Sequence, residues 1–99
     1  MEKFVYYNYL YDIYNSFLTD KKRKIFEYYY CENLSMQEIA DLLKVSKSFV
    51  GSSIKSVEKK LDEFENHLHI HEHKQMLEKI LKMNDAEKMK IEIKKIIAK

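Results

Sequence analysis

The chain contains no proline and a single glycine, Gly51. Strand-rich folds reverse direction often and rely on these residues at their turns, so their near-absence removes most β architectures. Helices joined by short polar breaks need few of them. Lys, Glu, Leu, Ile and Met are abundant here, and most are good helix formers. At 99 residues the chain suits one domain with a modest core. The expected class is all-α.

Apolar spacing divides the chain into segments. Residues 2–18 predict a first helix, with Tyr6, Leu10, Ile13 and Phe17 on one face and Tyr7, Tyr11, Tyr14 and Leu18 on the next. A band this wide exceeds what one packing contact needs. It predicts a helix sandwiched between neighbours as part of an aromatic core, or one that meets another chain. Thr19 is the expected N-cap of a second helix over residues 20–31, whose core face is Ile25, Phe26, Tyr29 and Tyr30. Ser35-Met36-Gln37-Glu38 has the form of a capping box, and Ile39, Ala40 and Leu43 face inward behind it. Lys44-Val45 makes a turn, and Ser46 caps a long fourth helix carrying Val50, Ile54, Val57, Leu61, Phe64 and Leu68 in steps of four and three. That seam fails at His71 and Glu72, which predicts a kink near residues 67–73. A further helix holds Met76, Leu77, Ile80, Leu81 and Met83. A last one over residues 85–98 is expected to be capped by Asn84 with Glu87 as its capping-box partner. An isolated helix of that length is marginal, so it must dock or fray. The organisation expected is a helical domain over residues 1–68, with a helix-turn-helix at 35–56. A helical extension over 69–99 packs on that domain or on a partner chain.

The residues at 35–56 have the mechanics of a helix-turn-helix: a short capped helix against a second capped helix, small Ala40 at their approach, and Val45 as an apolar plug in the turn. The second helix turns Lys47, Ser48, Gly51, Ser52 and Lys55 outward, and Lys47 and Ser48 stand near its N-terminus, where recognition helices meet base edges. Charge is concentrated in the same region. Residues 19–60 hold nine cations against six anions, whereas residues 61–99 hold eight of each. Lys21-Lys22-Arg23-Lys24 occupies the first turn of the second helix, an unfavourable end for cations, which suggests an anionic ligand. The candidate nucleic-acid or partner-binding residues are Lys21, Lys22, Arg23, Lys24, Lys47, Ser48, Ser52 and Lys55.

The ordered set Asn8-Tyr9-Leu10-Tyr11-Asp12, Leu18-Thr19-Asp20-Lys21, Tyr29-Tyr30, Asn33 to Ala40, and Val45-Ser46-Lys47 resembles the YlxM family of small bacterial helix-turn-helix proteins. The likeness continues through Ile54-Lys55, Glu58-Lys59, Leu61 and His67-Leu68, about the first 70 residues. It implies a fold similar to region four of sigma factors, with an added N-terminal helix and C-terminal helices. It also implies association with the signal recognition particle pathway, because the family's genes commonly neighbour those of the particle's GTPase and its receptor. The partners implied are that GTPase, its RNA, or both, and no catalytic residues come with the family. The chain departs from the pattern after the turn, where Lys47 stands for arginine and Ser48, Gly51, Ser52 and Ser53 are small. Lysine lacks the bidentate fork that arginine offers guanine. Sequence-specific binding of duplex DNA is the alternative reading of the same motif, and a two-fold homodimer is a third.

Other constellations carry less. His67, His69, His71 and His73 form two i, i+4 pairs on a helix, but the pairs point about 160° apart and cannot share one ion. A polar kink is the expected role, with no metal. There is no nucleophile–base pattern and no glycine-rich phosphate loop, so neither an enzyme nor a cofactor is expected. Cys31 is alone, the N-terminus lacks a signal-peptide layout, and no apolar run approaches a bilayer span, so the expected compartment is the cytoplasm.

Overall fold

A computed structural model describes residues 2–98. They form α1 (Lys3–Tyr14), a 3₁₀ turn (Asn15–Phe17), α2 (Asp20–Tyr30), α3 (Met36–Leu43), α4 (Lys47–Leu68), α5 (Ile70–Leu81) and α6 (Ala86–Ala98), with no strand among the described residues. No helix among them is long and apolar enough to cross a membrane. α4 is the axis of the fold, since α1, α2 and α3 all pack along it.

The caps fall largely where the sequence places them. Ser35 Oγ accepts from the Glu38 amide at 3.0 Å, and Glu38 Oε1 accepts from the Ser35 amide at 3.0 Å. The bond from the Ser35 amide first, and the Ser35 hydroxyl second, hold the Glu38 carboxyl below its ordinary pKa. Thr19 and Ser46 cap α2 and α4 through the amides of Lys22 and Phe49. Lys44 closes α3 in the left-handed region, at φ 57°, a conformation more usual for glycine. At α6 the expectation is corrected: Asp85, not Asn84, accepts from the Glu87 and Lys88 amides, so the helix starts one residue later.

The first helix is shorter than residues 2–18. Asn15 turns its side-chain amide back onto the carbonyls of Tyr11 and Asp12, which ends α1 and tightens the next residues into the 3₁₀ turn. Most of the wide aromatic band is explained within the chain, because α1 lies against α4 and α5, but Phe17 falls in the 3₁₀ turn and is exposed. Leu10, Tyr14, Ile25, Phe26, Ile39, Val50, Val57 and Leu61 form the fully buried centre. Phe26 is stacked between Tyr11 and Tyr30, with ring centroids 4.3 Å away on each side. The α4 seam ends earlier than expected: Leu68 is exposed because the helix stops there and the chain turns away.

The tyrosine hydroxyls meet a row of acids on α4. Tyr7 donates to Asp62 at 2.8 Å, Tyr30 to Glu58, and Tyr14 to Glu65 at 2.7 Å. Glu58 and Glu65 are buried despite their charge. Glu65 does more than accept from Tyr14. Its two carboxylate oxygens accept from the His71 and Glu72 amides, each at 3.0 Å, so a side chain of α4 caps the start of α5. The Ile70 amide donates to the Tyr14 hydroxyl at 3.3 Å. The kink expected among the histidines falls on His69, which takes φ 54° between α4 and α5. His71 is buried beside the ring of Tyr9, with centroids 5.6 Å apart. α6 buries no residue and packs on α5, so the α5–α6 hairpin projects from the body and leaves Leu77, Leu81, Ile93 and Ile97 exposed.

Tyr14→Phe removes one bond to a charged group and leaves the Ile70 amide without its acceptor, so it should cost about 1.5–3 kcal/mol in urea unfolding. The alkaline side gives a second check. Burial first, and the bond to Glu65 second, push the Tyr14 hydroxyl up to about 12 from the ordinary 10.0. A raised folded pKa means that the contribution is complete below pH 10 and drains away as pH rises through about 12. Stability should therefore fall across that window, and fall less steeply in the Tyr14→Phe chain.

Candidate nucleic-acid interface

α3 and α4 pack through Ile39, Ala40, Val50 and Ile54, which fixes the N-terminal half of α4 with one flank outward. Lys47, Ser48, Ser52 and Lys55 are all exposed on that flank. Together with Met36 and Gly51 they line an open hollow of about 580 Å³. A second, smaller groove of about 280 Å³ runs between the first turn of α2 and α4. Lys21, Lys22, Phe49, Ser52, Ser53 and Ser56 line it, so Ser52 borders both.

The eight candidate residues are not all brought together. Lys21 holds its ammonium over the Phe49 ring, 4.8 Å from the centroid, and Lys22 donates to Ser56 Oγ at 3.2 Å. Both therefore lie against α4. Arg23 pairs instead with Asp20, and Lys24 sits over Tyr28 in its own helix, 6.0 Å from the centroid. Neither of these two lines the groove. Arg23 stands toward Tyr11, where its charge opposes the rise that burial and Glu27 impose on that hydroxyl. Ser52 donates its hydroxyl to the Phe49 carbonyl at 3.2 Å, so in this state it offers a ligand lone pairs rather than a proton.

Phe49, Ser53, Ser56 and Lys60 escaped the sequence reading, although the signal is present. They recur in steps of four, three and four and so form one stripe on α4, about 100° from the buried seam. What the sequence lacks is the knowledge that α2 lies over that stripe. Lys60 stands beside Lys22, and this contact, with burial second, pulls the Lys22 ammonium below its ordinary pKa. Lys60 itself does not line the groove. Among the described residues no carboxylate lies within ion-pair distance of Lys21, Lys22, Lys47, Lys55 or Lys60.

A family model described as "Putative helix-turn-helix protein, YlxM / p13 like" matches residues 1–99. The chain belongs to this family. It is 36% identical over 86 residues to a UPF0122 protein of Caldanaerobacter subterraneus subsp. tengcongensis, covering 86% of this chain and 74% of that protein. It is 41% identical over 70 residues to a UPF0122 protein of Shouchella clausii, covering 71% of this chain and 64% of that one. A UPF0122 protein of Bacillus thuringiensis is 43% identical over 68 residues, which covers 69% of this chain and 62% of the relative. In the last two cases the match spans less than two thirds of the relative's own length. The helix-turn-helix of the YlxM-like family is here the α3–α4 unit.

Among the described residues no group of three or more His, Cys, Asp or Glu side chains is placed to hold a metal ion. The Cys31 thiol is held above its ordinary pKa by desolvation, then by Glu27, Asp12 and Glu32, the wrong direction for an activated nucleophile.

Gly51 does not answer to a close contact within this YlxM-like chain. A Cβ there would meet only Met36 Sδ at 3.6 Å, ordinary van der Waals distance. Gly51→Ala should therefore stabilise α4 by about 0.5–1 kcal/mol through helix propensity. Thermal unfolding reads the effect, and a lower melting temperature would mean that the site tolerates no side chain.

Proposed function

We propose that the chain is a non-catalytic regulatory binding protein that acts in the cytoplasm on the signal recognition particle, through its GTPase, its RNA, or both. The observation that carries the reading is the set of lysines at the start of α4 and the first turn of α2, left without carboxylate partners on the outward flank of a helix-turn-helix. Unpaired cations on a rigid helical scaffold attract a polyanion or an acidic protein face. Membership of the YlxM-like family supports the particle as the source of that partner.

A sequence-specific regulator of duplex DNA is the second reading. It is favoured by the exposure of Lys47, Ser48, Ser52 and Lys55 on the N-terminal half of α4, where a recognition helix contacts bases. The side chains weigh against strong base readout, since lysine presents one point charge and serine reaches little beyond the backbone.

A salt series with three ligands separates the readings: the particle RNA, its GTPase bound to that RNA, and duplex DNA. The expected result is retention of the RNA or the GTPase complex at physiological ionic strength, with duplex DNA released. DNA binding that persists over competitor DNA at that salt would favour the regulator instead. Replacing Lys47 and Lys55 by alanine together should lower the salt slope for a nucleic-acid ligand by about 1–2. Self-association is also proposed, through the apolar face of the α5–α6 hairpin. Sedimentation showing one monomeric species at all concentrations would dismiss it.

A further inference from the structure

Two phenylalanines flank the free lysines of α4. Phe4 is 42% exposed and Phe49 is 39% exposed. Phe49 borders the groove between α2 and α4, and that groove meets the open hollow of Lys47, Ser48 and Lys55 at Ser52. On its far side the hollow meets a shallow one of about 80 Å³ lined by Lys3, Phe4 and Tyr29, and the two share Met36, Gly51 and Lys55. Three adjoining depressions therefore cross the N-terminal half of α4, with an exposed ring in each outer one and lysines between. Phe4 is held in place by Tyr30 and Tyr29, its centroid 4.5 and 5.6 Å from theirs. Lys3 pairs with Glu58 at 3.5 Å, but among the described residues Lys47 and Lys55 have no carboxylate within ion-pair distance.

We propose that this surface takes an unpaired segment of RNA, with phosphates on Lys47 and Lys55 and bases stacked on Phe49 and Phe4. The proposal rests on the reading of the particle RNA as a ligand, and deepens it by naming the form of RNA that is bound. Three arguments carry it. A duplex keeps its bases stacked on one another, so it has phosphates for the lysines and no free base face for the rings. An unpaired strand has both, and lysines beside exposed aromatic rings are the chemistry that holds one. Stacking also accepts any base, which suits a flank whose lysines and serines read sequence poorly. The third argument is Lys21, whose ammonium lies over the Phe49 ring, 4.8 Å from the centroid. An exposed cation–π contact is weaker than base stacking, so a base displaces the ammonium and leaves it free for the next phosphate. At Phe4 the hollow is smaller than a nucleobase, so the base lies across the ring rather than entering. The strand crosses α4 instead of laying the helix into a groove of a duplex.

The test uses the full chain with ¹³C-labelled phenylalanine rings. A twelve-nucleotide RNA without self-complementarity is titrated as a single strand, as its RNA duplex and as the DNA duplex of the same sequence. The expected result is saturable upfield movement of the Phe4 and Phe49 rings with the single strand, which also binds most tightly at physiological salt. Phe17 is 60% exposed and packs on Phe64 near the other end of α4, so both should stay still. Phe4→Leu and Phe49→Leu keep an apolar side chain and remove the ring. Each should lose about tenfold in affinity for the single strand and leave the salt slope unchanged, because stacking releases no counterions. Phe17→Leu should bind as the wild type does. The wild-type titration stands without the variants, so a variant that misfolds does not decide the matter. If a duplex binds more tightly than the single strand and the two rings do not move, the stacking surface is overturned while a nucleic-acid role survives. If the single strand binds and only the lysines respond, with both Leu variants at full affinity, the rings are not platforms and the proposal fails. If no nucleic acid binds while the GTPase alone is retained, the proposal and an RNA-directed role fall together, and a protein partner remains.

Discussion

Three carboxylates along one face of α4 decide how the rest of the chain is arranged around it. Glu58, Asp62 and Glu65 recur at helical spacing, and Glu58 and Glu65 are buried. An ionised carboxylate taken from water carries a heavy desolvation cost unless donors replace the lost solvent. The donors here are Tyr30, Tyr7 and Tyr14, phenols whose rings fill the core and whose hydroxyls reach the acids. Each pairing ties α1 or α2 to a fixed height on α4. A slide of either helix would separate all the phenols it carries from their acids.

Glu65 extends this logic past the end of the helix. Its carboxylate meets the free amides of His71 and Glu72 at the positive end of α5, so the same group anchors α1 and starts α5. His69 takes the left-handed conformation that makes room for the turn, and Leu68 is left exposed by it. The α5–α6 hairpin is therefore attached to the body by a polar junction and by the packing of α5 on α1, while α6 leans mainly on α5. Local opening should begin there, since α6 buries no residue.

The interface arises from the same packing at the other end of α4. Placing α2 across the stripe Phe49–Ser53–Ser56–Lys60 brings Lys21 onto Phe49 and Lys22 onto Ser56. Two groups of candidates far apart in sequence thereby share one surface, joined at Ser52. Arg23 and Lys24, which look equivalent to their neighbours along the chain, turn about 100° per residue and find Asp20 and Tyr28 instead. A run of four cations on a helix cannot face one ligand, and the helical repeat selects which two do.

The local features were legible without coordinates. The apolar periodicities and the serine and threonine caps are set by interactions within about four residues, and such interactions are written in neighbouring letters. The α3–α4 unit was readable for that reason, capping box included. What the letters could not give was which acids would be buried, because Glu58 and Glu65 differ from exposed glutamates only in the tyrosines that reach them from 28 and 51 residues away. The pairing of Lys22 with Lys60 has the same origin. Charge and hydroxyl chemistry belong to the sequence, but their meeting across helices is decided by how the apolar faces pack, and that is a property of the assembled fold alone.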